Sequence, residues 1–439
     1  AQSSMFQDKK SVKFYSDAGH EVDVAFTALY LTSYTSLDEV KNLTYEKTTI
    51  SDYQIPETLQ YLFGPLTLHE MGGPKKIFHV NVLWDQAQLN AAGNVLVPYE
   101  YTGTWLLDER IKESFTMPLP LNEDVVFTDR WKACGDSAPD HQTRSFFWYF
   151  WEPSRGGCDH KLNEQYQNIT VNLTKETVET TETFPEYNKL LNSAGKDKNL
   201  QMTFAFGYVE DPAKPNPDKD TDTGMYEYRK FASYVRKSVV ALNFTETAIL
   251  ESEYLNPVRP KQKIGTRFSG IKDGVQITIN VVAAADIDQM QLFAQSFSHN
   301  QDGFFGWFGH SRVGSGFDAD QFRYMTQRNP DYYPSTTHYQ LIYWGGCNSY
   351  SYYTLPFFKF KANLDIALDP LGTKSLDIIS NALPSLFIFN AANAFIALDA
   401  MMNWEQKTSY QQIIQKIEDH ARSYGQTVLV NILGDEDNQ

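Results

Sequence analysis

The segment VQITINVVA at residues 275–283 decides the fold class of this chain. It is rich in apolar and β-branched residues, as is typical of a strand in a sheet. A pattern with helical spacing follows at residues 286–299. The same alternation predicts strands at 304–308, 339–344, 364–368 and 427–432, and helices at 318–327, 349–361, from 369 to near 404, and 409–424. Together these elements predict an α/β domain, a parallel sheet with helices on both faces.

Outside this segment the chain divides into two regions. A strand at 202–209 and a helix at 224–237 extend the α/β pattern toward the N-terminus. The preceding half consists mainly of short β-branched and aromatic segments separated by glycines. Its Thr- and Glu-rich stretch at 168–183 predicts an exposed hairpin or edge strand. We therefore expect a β-rich N-terminal domain at residues 1–195, whose role the sequence leaves open, and an α/β domain at 196–439.

The charge balance restricts the class of partner. The 439 residues include 38 Lys and Arg against 54 Asp and Glu, which gives a net charge of −16. Nucleic acids and anionic membranes attract basic surfaces, so this balance argues against both. The apolar stretch at 383–402 contains Pro384, Asn390, Asn393 and Asp399. Because polar groups are costly in hydrocarbon, the stretch predicts a buried helix and no membrane span.

The cysteines and the first residues bear on the cellular compartment. Cys134 and Cys158 lie 24 residues apart, whereas Cys347 lies far away, so the sequence predicts one local disulfide and one leftover thiol. Two alternatives remain open, namely three free thiols in a cytosolic protein, or a zinc site that adds His141 and His160. The chain begins AQSS, as a cleaved signal peptide can leave behind. We therefore expect a secreted or periplasmic protein.

Two predicted strands end in segments that carry chemically interesting groups. The first continues as FGHSRVGSGFD at 308–318, which contains His310, and the second as WGGCNS at 344–349, which contains Cys347. Ligands of open parallel sheets bind at the carboxyl ends of the strands, and sequential strands are usually neighbours. We therefore expect His310 and Cys347 to face one cleft. A thiol beside an imidazole can become a thiolate and act as a nucleophile near neutral pH.

The order strand–His–Gly-rich loop–helix–strand–Gly-Cys resembles that of the caspase-like cysteine peptidases, which include caspases, gingipains, clostripain and legumain. The resemblance covers residues 199–439 and is closest to the gingipain-like branch, because Gly346-Cys347-Asn348-Ser349 is similar to the nucleophile turn of that branch. It implies a caspase-like fold and a cysteine endopeptidase without a required cofactor. Cys347 would be the nucleophile that forms an acyl-enzyme on protein or peptide substrates, and His310 the general acid/base. The implied substrate-binding residues are Gly309, Ser311, Gly346, Asn348 and Asp318.

The chain also departs from the pattern of this family. The interval from His310 to Cys347 is shorter than the roughly 50 residues typical of caspases. Ser311 stands where the family commonly has Gly, and Gly345 stands where the basic-specific members carry an acid. A preference for Arg or Lys therefore does not carry over by that route. Asp318 could line a negative pocket or simply cap the following helix.

Three other functions are compatible with the sequence. A serine hydrolase is suggested by Gly309-His310-Ser311, although the fifth position of the Gly-x-Ser-x-Gly elbow is Val313. A caspase-like scaffold that is catalytically idle could act as a secreted binding or interaction protein, since His310 and Cys347 could also be core residues. The N-terminal domain could instead bind carbohydrate on an aromatic platform made of Trp131, Trp148, Tyr149 and Trp151.

A possible cation site lies in a polar loop before the helix at 224–237. Asp218, Asp220 and Asp222 alternate there, and carboxylate oxygens are ligands that Ca²⁺ prefers. The Gly and the distal Glu of an EF-hand are missing, so a solvated loop is the competing interpretation.

Overall fold

A computed structural model of the protein describes residues 16, 18–127, 134–135, 144–156, 158, 165–177, 181–210, 215–254, 262–311, 319–362 and 369–435. The first of its two sheets has six strands, all paired antiparallel, in the order β2-β4-β1-β6-β5 with β3 beside β4. The strands are β1 (Gly19–Leu31), β2 (Gly72–Val82), β3 (Gln88–Leu89), β4 (Val95–Asp108), β5 (Phe115–Pro120) and β6 (Tyr166–Glu176).

The Thr-rich strand β6 corrects one expectation from the sequence. It pairs with β1 on one side and with β5 on the other, so it is an interior strand and not an exposed edge or hairpin. Its apolar residues Ile169 and Val171 are buried, while Asn168, Thr170 and Asn172, which alternate with them, are exposed. The polar alternation therefore marked a strand with one solvated face.

The sequence predicts mainly strands in the first half of the chain, but the structure also has a layer of helices there. It comprises α1 (Leu37–Lys41), α2 (Tyr45–Thr49), α3 (Ile55–Leu59) and α4 (Phe63–Leu68), with a π-helical turn at Ile50–Gln54 and a 3₁₀ turn at Gln60–Leu62. Ile55, Leu59, Leu62 and Leu66 recur at helical spacing and pack in the same core as the first sheet. Three further helices also belong to this half: α5 (Glu123–Val126), α6 (Arg144–Phe150) and α7 (Tyr187–Leu190).

The second sheet has eight strands in the order β14-β13-β12-β11-β7-β10-β9-β8. The strands from β13 to β10 run parallel, as predicted, whereas β14, β9 and β8 pair antiparallel at the two margins. The sheet is therefore mixed and not wholly parallel. Its strands are β7 (Asn199–Gly207), β8 (Thr245–Leu250), β9 (Lys263–Lys272), β10 (Val275–Ala284), β11 (Phe304–Phe308), β12 (Gln340–Trp344), β13 (Leu376–Asn381) and β14 (Val430–Leu433).

Helices cover both faces of this sheet, which confirms the α/β architecture. They are α8 (Thr223–Val239), α9 (Asp286–Ala294), α10 (Ala319–Arg328), α11 (Ser349–Lys361), α12 (Asn390–Met402) and α13 (Tyr410–Ser423). On one face α8, α12 and α13 share a core with Phe204 and Phe206 of the central strand. On the other face α9, α10 and α11 share a core with Ala205 and Trp307. Adjacent residues of one strand thus serve opposite layers.

The segment between α11 and α12 also differs from the prediction. The strand predicted at 364–368 lies outside the described residues. Residues 376–381, assigned from sequence to one long helix, form strand β13, and α12 begins only at Asn390. A short apolar run without polar alternation fits a buried strand as well as a buried helix, and here the sheet takes it. No described helix is both long and apolar enough to cross a bilayer.

The two halves are packed against each other through α11. The Tyr350 hydroxyl donates a hydrogen bond to Glu21 Oε1 at 2.6 Å, and the Ser351 hydroxyl donates to the carbonyl of Pro74. The rings of Phe63 and Tyr352 stack with centroids 5.8 Å apart. The side of the second sheet that α11 covers is therefore supported by the first half of the chain.

Cys134 and Cys158 form a disulfide, with their Cα atoms 4.6 Å apart, as predicted. Because the two sulfurs are bonded to each other, the zinc alternative loses these ligands; His141 and His160 lie outside the described residues. The bond packs with Tyr61, Phe147 and Trp151. Closing a loop of 24 residues contributes about 3 kcal/mol on the chain-entropy model.

The buried carboxyl of Asp302 makes the stability of the protein depend on pH. It accepts hydrogen bonds from Gln201 and Ser296, and burial raises its pKa from 3.8 to about 6. Since the folded state holds this proton more tightly than the unfolded state, the stabilisation is complete below pH 3.8 and is lost as the pH rises through 6. The difference corresponds to about 3 kcal/mol.

We expect Asp302→Asn to remove this contribution. Between pH 7 and pH 4 the wild type should gain about 2 kcal/mol relative to the variant, measured as the difference between their urea unfolding free energies at each pH. All other titrating groups are common to both proteins and cancel in the comparison. Parallel pH profiles for the two proteins would contradict the assignment.

Candidate functional site

The two strands that precede the candidate residues are neighbours. β11 and β12 pair in parallel, with Phe304 opposite Leu341 and Trp307 opposite Trp344. Their carboxyl ends therefore reach the same edge of the sheet. His310 follows the end of β11, and Cys347 follows the end of β12.

The loops that carry His310 and Cys347 touch each other. The Ser311 hydroxyl donates a hydrogen bond to the carbonyl of Cys347 at 2.6 Å, and the N–H of Gly345 donates to the carbonyl of Trp307 at 2.7 Å. A Cβ atom at Gly346 would lie 3.0 Å from the carbonyl oxygen of Gly309. Glycine therefore allows the two turns to approach this closely.

The imidazole of His310 is half-buried and has defined neighbours. Its Nε2 lies 3.0 Å from the carbonyl oxygen of Val209, and its ring meets the ring of Phe387 edge-on at 4.9 Å. Because a carbonyl only accepts, Nε2 is the donor in this bond. In the neutral ring the Nδ1 atom is then the one that can accept a proton.

The thiol of Cys347 lies against the backbone of Ser385. Its sulfur is 3.6 Å from the Ser385 carbonyl oxygen and accepts a hydrogen bond from the Ser385 N–H at 3.4 Å. Burial raises the pKa of the Cys347 thiol, although the thiol stands just before the N-terminus of α11. In this conformation the sulfur is therefore a protonated thiol at neutral pH.

The same short segment contacts both candidate residues. Ser385 meets the sulfur of Cys347, and Phe387, two residues later, meets the ring of His310. The segment that contains Ser385 and Phe387 therefore contacts both His310 and Cys347.

Asn348 fixes the turn that carries the thiol. Its backbone is left-handed (φ 48°), which Asn tolerates better than most residues, and its side chain is fully buried. The Tyr149 hydroxyl donates to Asn348 Oδ1 at 2.6 Å, and Asn348 Nδ2 donates to the carbonyl of Ala382 at 2.7 Å. Asn348 is therefore placed to position the turn, and in this conformation its amide is occupied by protein partners.

Comparison with known proteins does not assign a function to this site. No protein-family model, no curated protein and no solved structure matches the chain. A functional assignment therefore depends on the residues of this site.

The structure brings some of the other candidate residues together and not others. Gly309, Ser311 and Gly346 lie where the two turns meet. Asp318 lies outside the described residues. The serine of the alternative hydrolase, Ser311, is buried and bonded to the Cys347 carbonyl.

Two contacts at the site were not found from the sequence. Tyr149 was considered only as a carbohydrate platform, but it is 7% exposed and holds Asn348 from 199 residues away. Burial, with the nearby Cys347 as a further cause, raises the pKa of Tyr149 well above its usual value, so its hydroxyl remains a donor. The sequence predicts a helix at Ser385, but the residue precedes α12 and contacts the sulfur of Cys347. Of the other platform residues, Trp151 is fully buried, and Trp131 lies outside the described residues.

The three aspartates proposed for Ca²⁺ all have protein partners. Asp218 pairs with Lys263 at 2.8 Å, and Asp220 accepts from the Tyr208 hydroxyl at 3.0 Å. Asp222 is the N-cap of α8 and accepts three backbone N–H bonds. These contacts account for the aspartates as elements of the loop.

A second group with metal-ligand chemistry lies on the first sheet. His20, Glu109 and Glu176 bring one ligand atom each within 4.8 Å of the others. The ammonium of Lys112 lies 2.6 Å from Glu109 and 3.2 Å from His20 Nδ1. The cluster thus already contains a cation of the chain itself, and burial lowers the pKa of His20.

Proposed function

We propose that the chain is a caspase-like cysteine endopeptidase, with Cys347 as nucleophile and His310 as general acid/base. The observation that carries the proposal is the contact between the turns after two neighbouring parallel strands, tied by the Ser311–Cys347 hydrogen bond. The two candidate groups are thereby brought to one edge of the sheet, where ligands of such sheets bind. The turn Gly346-Cys347-Asn348-Ser349 is similar to the nucleophile turn of the gingipain-like branch.

The reaction begins when substrate displaces the Ser385 backbone from the sulfur. The thiol then gives its proton to His310, and the sulfur attacks the scissile carbonyl carbon. The imidazolium protonates the leaving amine, which leaves an acyl-enzyme on Cys347. His310 next takes a proton from water, and the resulting hydroxide attacks the acyl carbon and breaks its bond to sulfur. The imidazolium then returns its proton to the sulfur, which restores the thiol and the neutral imidazole.

The oxyanion of each tetrahedral intermediate needs donors that are already in place. The backbone N–H groups of Cys347 and Ser311 are the candidates, because these residues belong to the two joined turns. Gly346 supports this arrangement, since a side chain there would push the turns apart.

The disulfide supports an oxidising compartment for this enzyme. Disulfides persist mainly in secreted and periplasmic proteins and are rare in the cytosol. We propose a secreted or periplasmic peptidase on this basis.

A second candidate function is favoured by the state of the thiol. Its burial, raised pKa and contact with Ser385 are those of an inert cysteine. On this alternative the same scaffold is an idle, secreted interaction protein.

Alkylation tests the two candidates, because Cys347 is the single thiol outside the disulfide. For the peptidase we expect iodoacetamide to modify Cys347 in the native protein and to abolish hydrolysis of a peptide library in proportion to the label incorporated. Bound peptide should protect the thiol. A native protein that hydrolyses no peptide, and whose thiol reacts only after denaturation, would favour the interaction protein.

A further inference from the structure

The motif Asn-x-Thr occurs four times in the chain. It reads NLT at 42–44, NIT at 168–170, NLT at 172–174 and NFT at 243–245. This pattern, with any residue except proline in the middle, is the acceptor for N-linked glycosylation in secreted proteins. Since so short a pattern also arises by chance, its position in the fold decides whether it can be used.

The structure exposes both the Asn and the Thr of every one of these motifs. A glycan is bulky and hydrated, so its attachment point must lie on the surface. By contrast, none of the buried Asn residues in the described part of the chain begins an Asn-x-Ser/Thr motif. These buried residues are Asn199, Asn280, Asn348, Asn381, Asn390, Asn393 and Asn431. The motif therefore coincides with the surface of the protein.

Two of the motifs follow each other on strand β6. Successive side chains of a strand point to opposite faces, so the Asn and Thr residues of both motifs share the solvated face, while Ile169 and Val171 point into the core. The four residues on the solvated face are Asn168, Thr170, Asn172 and Thr174. Four residues of a strand span about 13 Å, which separates the two attachment points.

The motif at 243–245 stands at the margin of the second sheet. Asn243 has a left-handed backbone (φ 52°), which Asn adopts more readily than most residues, and β8 begins two residues later. β8 pairs with β9 and is the last strand in the order of the described sheet. Backbone groups at such an edge can pair with another chain, and a hydrated glycan beside the edge would hinder that pairing.

The motif at 42–44 keeps an amide hydrogen for the reaction. Asn42 is the C-cap of α1, and its Nδ2 donates a hydrogen bond to the carbonyl of Asp38 at 2.8 Å. A side-chain amide has two N–H hydrogens. One of them can therefore be replaced by a sugar while the other keeps the bond to Asp38.

We propose that four residues carry N-linked glycans, namely Asn42, Asn168, Asn172 and Asn243. In the transfer, Nδ2 bonds to the anomeric carbon of an oligosaccharide, and the bond from that carbon to a polyprenyl diphosphate carrier breaks. Nδ2 loses a proton, and the diphosphate leaves with the electron pair of the broken bond. The proposal rests on the secreted compartment proposed above and is independent of His310 and Cys347.

Mass spectrometry of the protein secreted by its source organism tests the proposal. Peptide-N-glycosidase, used in water labelled with heavy oxygen, removes each glycan and leaves the label on the side chain that carried it. We expect the label at positions 42, 168, 172 and 243. Asn188 is the matched control, because this exposed Asn lies outside the motif and should stay unlabelled. The proposal is overturned if the four positions are also unlabelled.

The disulfide in the same sample separates this proposal from that of the compartment. If Cys134 and Cys158 are bonded and the four positions carry no glycan, the glycan proposal alone is wrong. If the two cysteines are reduced and the positions carry no glycan, the secreted compartment is wrong as well.

Replacing the Thr of a motif tests each site separately. Thr245→Ala, in the full chain secreted from a eukaryotic host, should remove one glycan, because the motif is lost while Asn243 remains. Thr247→Ala is the matched control, since this exposed Thr of β8 lies outside the motif and its replacement should leave the number of glycans unchanged. Equal numbers of glycans in the two variants would contradict a glycan at Asn243. The variants for the other three sites are Thr44→Ala, Thr170→Ala and Thr174→Ala.

Discussion

Replacing Cys347 with alanine is expected to reduce peptide hydrolysis by about 10⁴-fold or more. In the proposed mechanism the acyl-enzyme cannot form without the sulfur, and removal of a nucleophile from comparable catalytic groups has effects of this size. His310→Ala should cause a similar loss, because the imidazole must take the proton of the thiol. Initial rates on a peptide substrate, measured at matched concentrations of folded protein, give the comparison.

The double variant and a neighbouring variant sharpen this test. Since the two groups act as a unit, His310→Ala should slow the Cys347→Ala protein little further. Ser385→Ala retains the backbone groups that contact the sulfur, so its hydrolysis should remain within a few-fold of the wild-type rate. If Cys347→Ala hydrolysed peptide at the wild-type rate, Cys347 could not be the nucleophile, and the proposed function would be wrong.

Trp344→Ala should have the largest effect on stability, about 3–5 kcal/mol. Trp344 ends β12 and is fully buried. Its ring lies 4.6 Å from that of Tyr353, 5.2 Å from that of Phe357 and 5.3 Å from that of Phe293. Truncation leaves a large cavity between the sheet and α9 and α11. Urea unfolding of both proteins would measure the loss.

An exposed aromatic residue provides the control for this substitution. Tyr324 on α10 is 51% exposed, with the guanidinium of Arg328 4.1 Å from its ring centroid. Tyr324→Ala should therefore cost about 1 kcal/mol or less. Equal losses in the two variants would show that burial of Trp344 is not what stabilises the second sheet.

Local patterns predicted the centre of the second sheet and failed at its margins. Strand β10 and helix α8 were recognisable because their apolar spacing is regular over many residues. Strand β13 was not, because its six buried residues carry no alternation that separates strand from helix. The antiparallel pairing of β14 depends on partners elsewhere in the chain, which no local pattern encodes.

The candidate site was predictable only in part for a similar reason. The edge position of His310 and Cys347 followed from strand order, since β11 and β12 are consecutive neighbours. The contacts of Tyr149 and Ser385 with this site did not follow from strand order. Tyr149 is 199 residues from Asn348, and Ser385 is 38 residues from Cys347. Such pairs depend on tertiary packing, and the sequence offers only residue types that usually belong to a core.

The hydrogen bond from Tyr149 to Asn348 depends on an intact disulfide, so the reductant in the assay buffer matters. Helix α6 and Tyr149 lie inside the loop closed by Cys134 and Cys158. Dithiothreitol, commonly added to keep a cysteine enzyme active, would also cut that loop and release the support of the turn beside Cys347. Assays should therefore protect the free sulfur by excluding oxygen and metals, so that the crosslink survives.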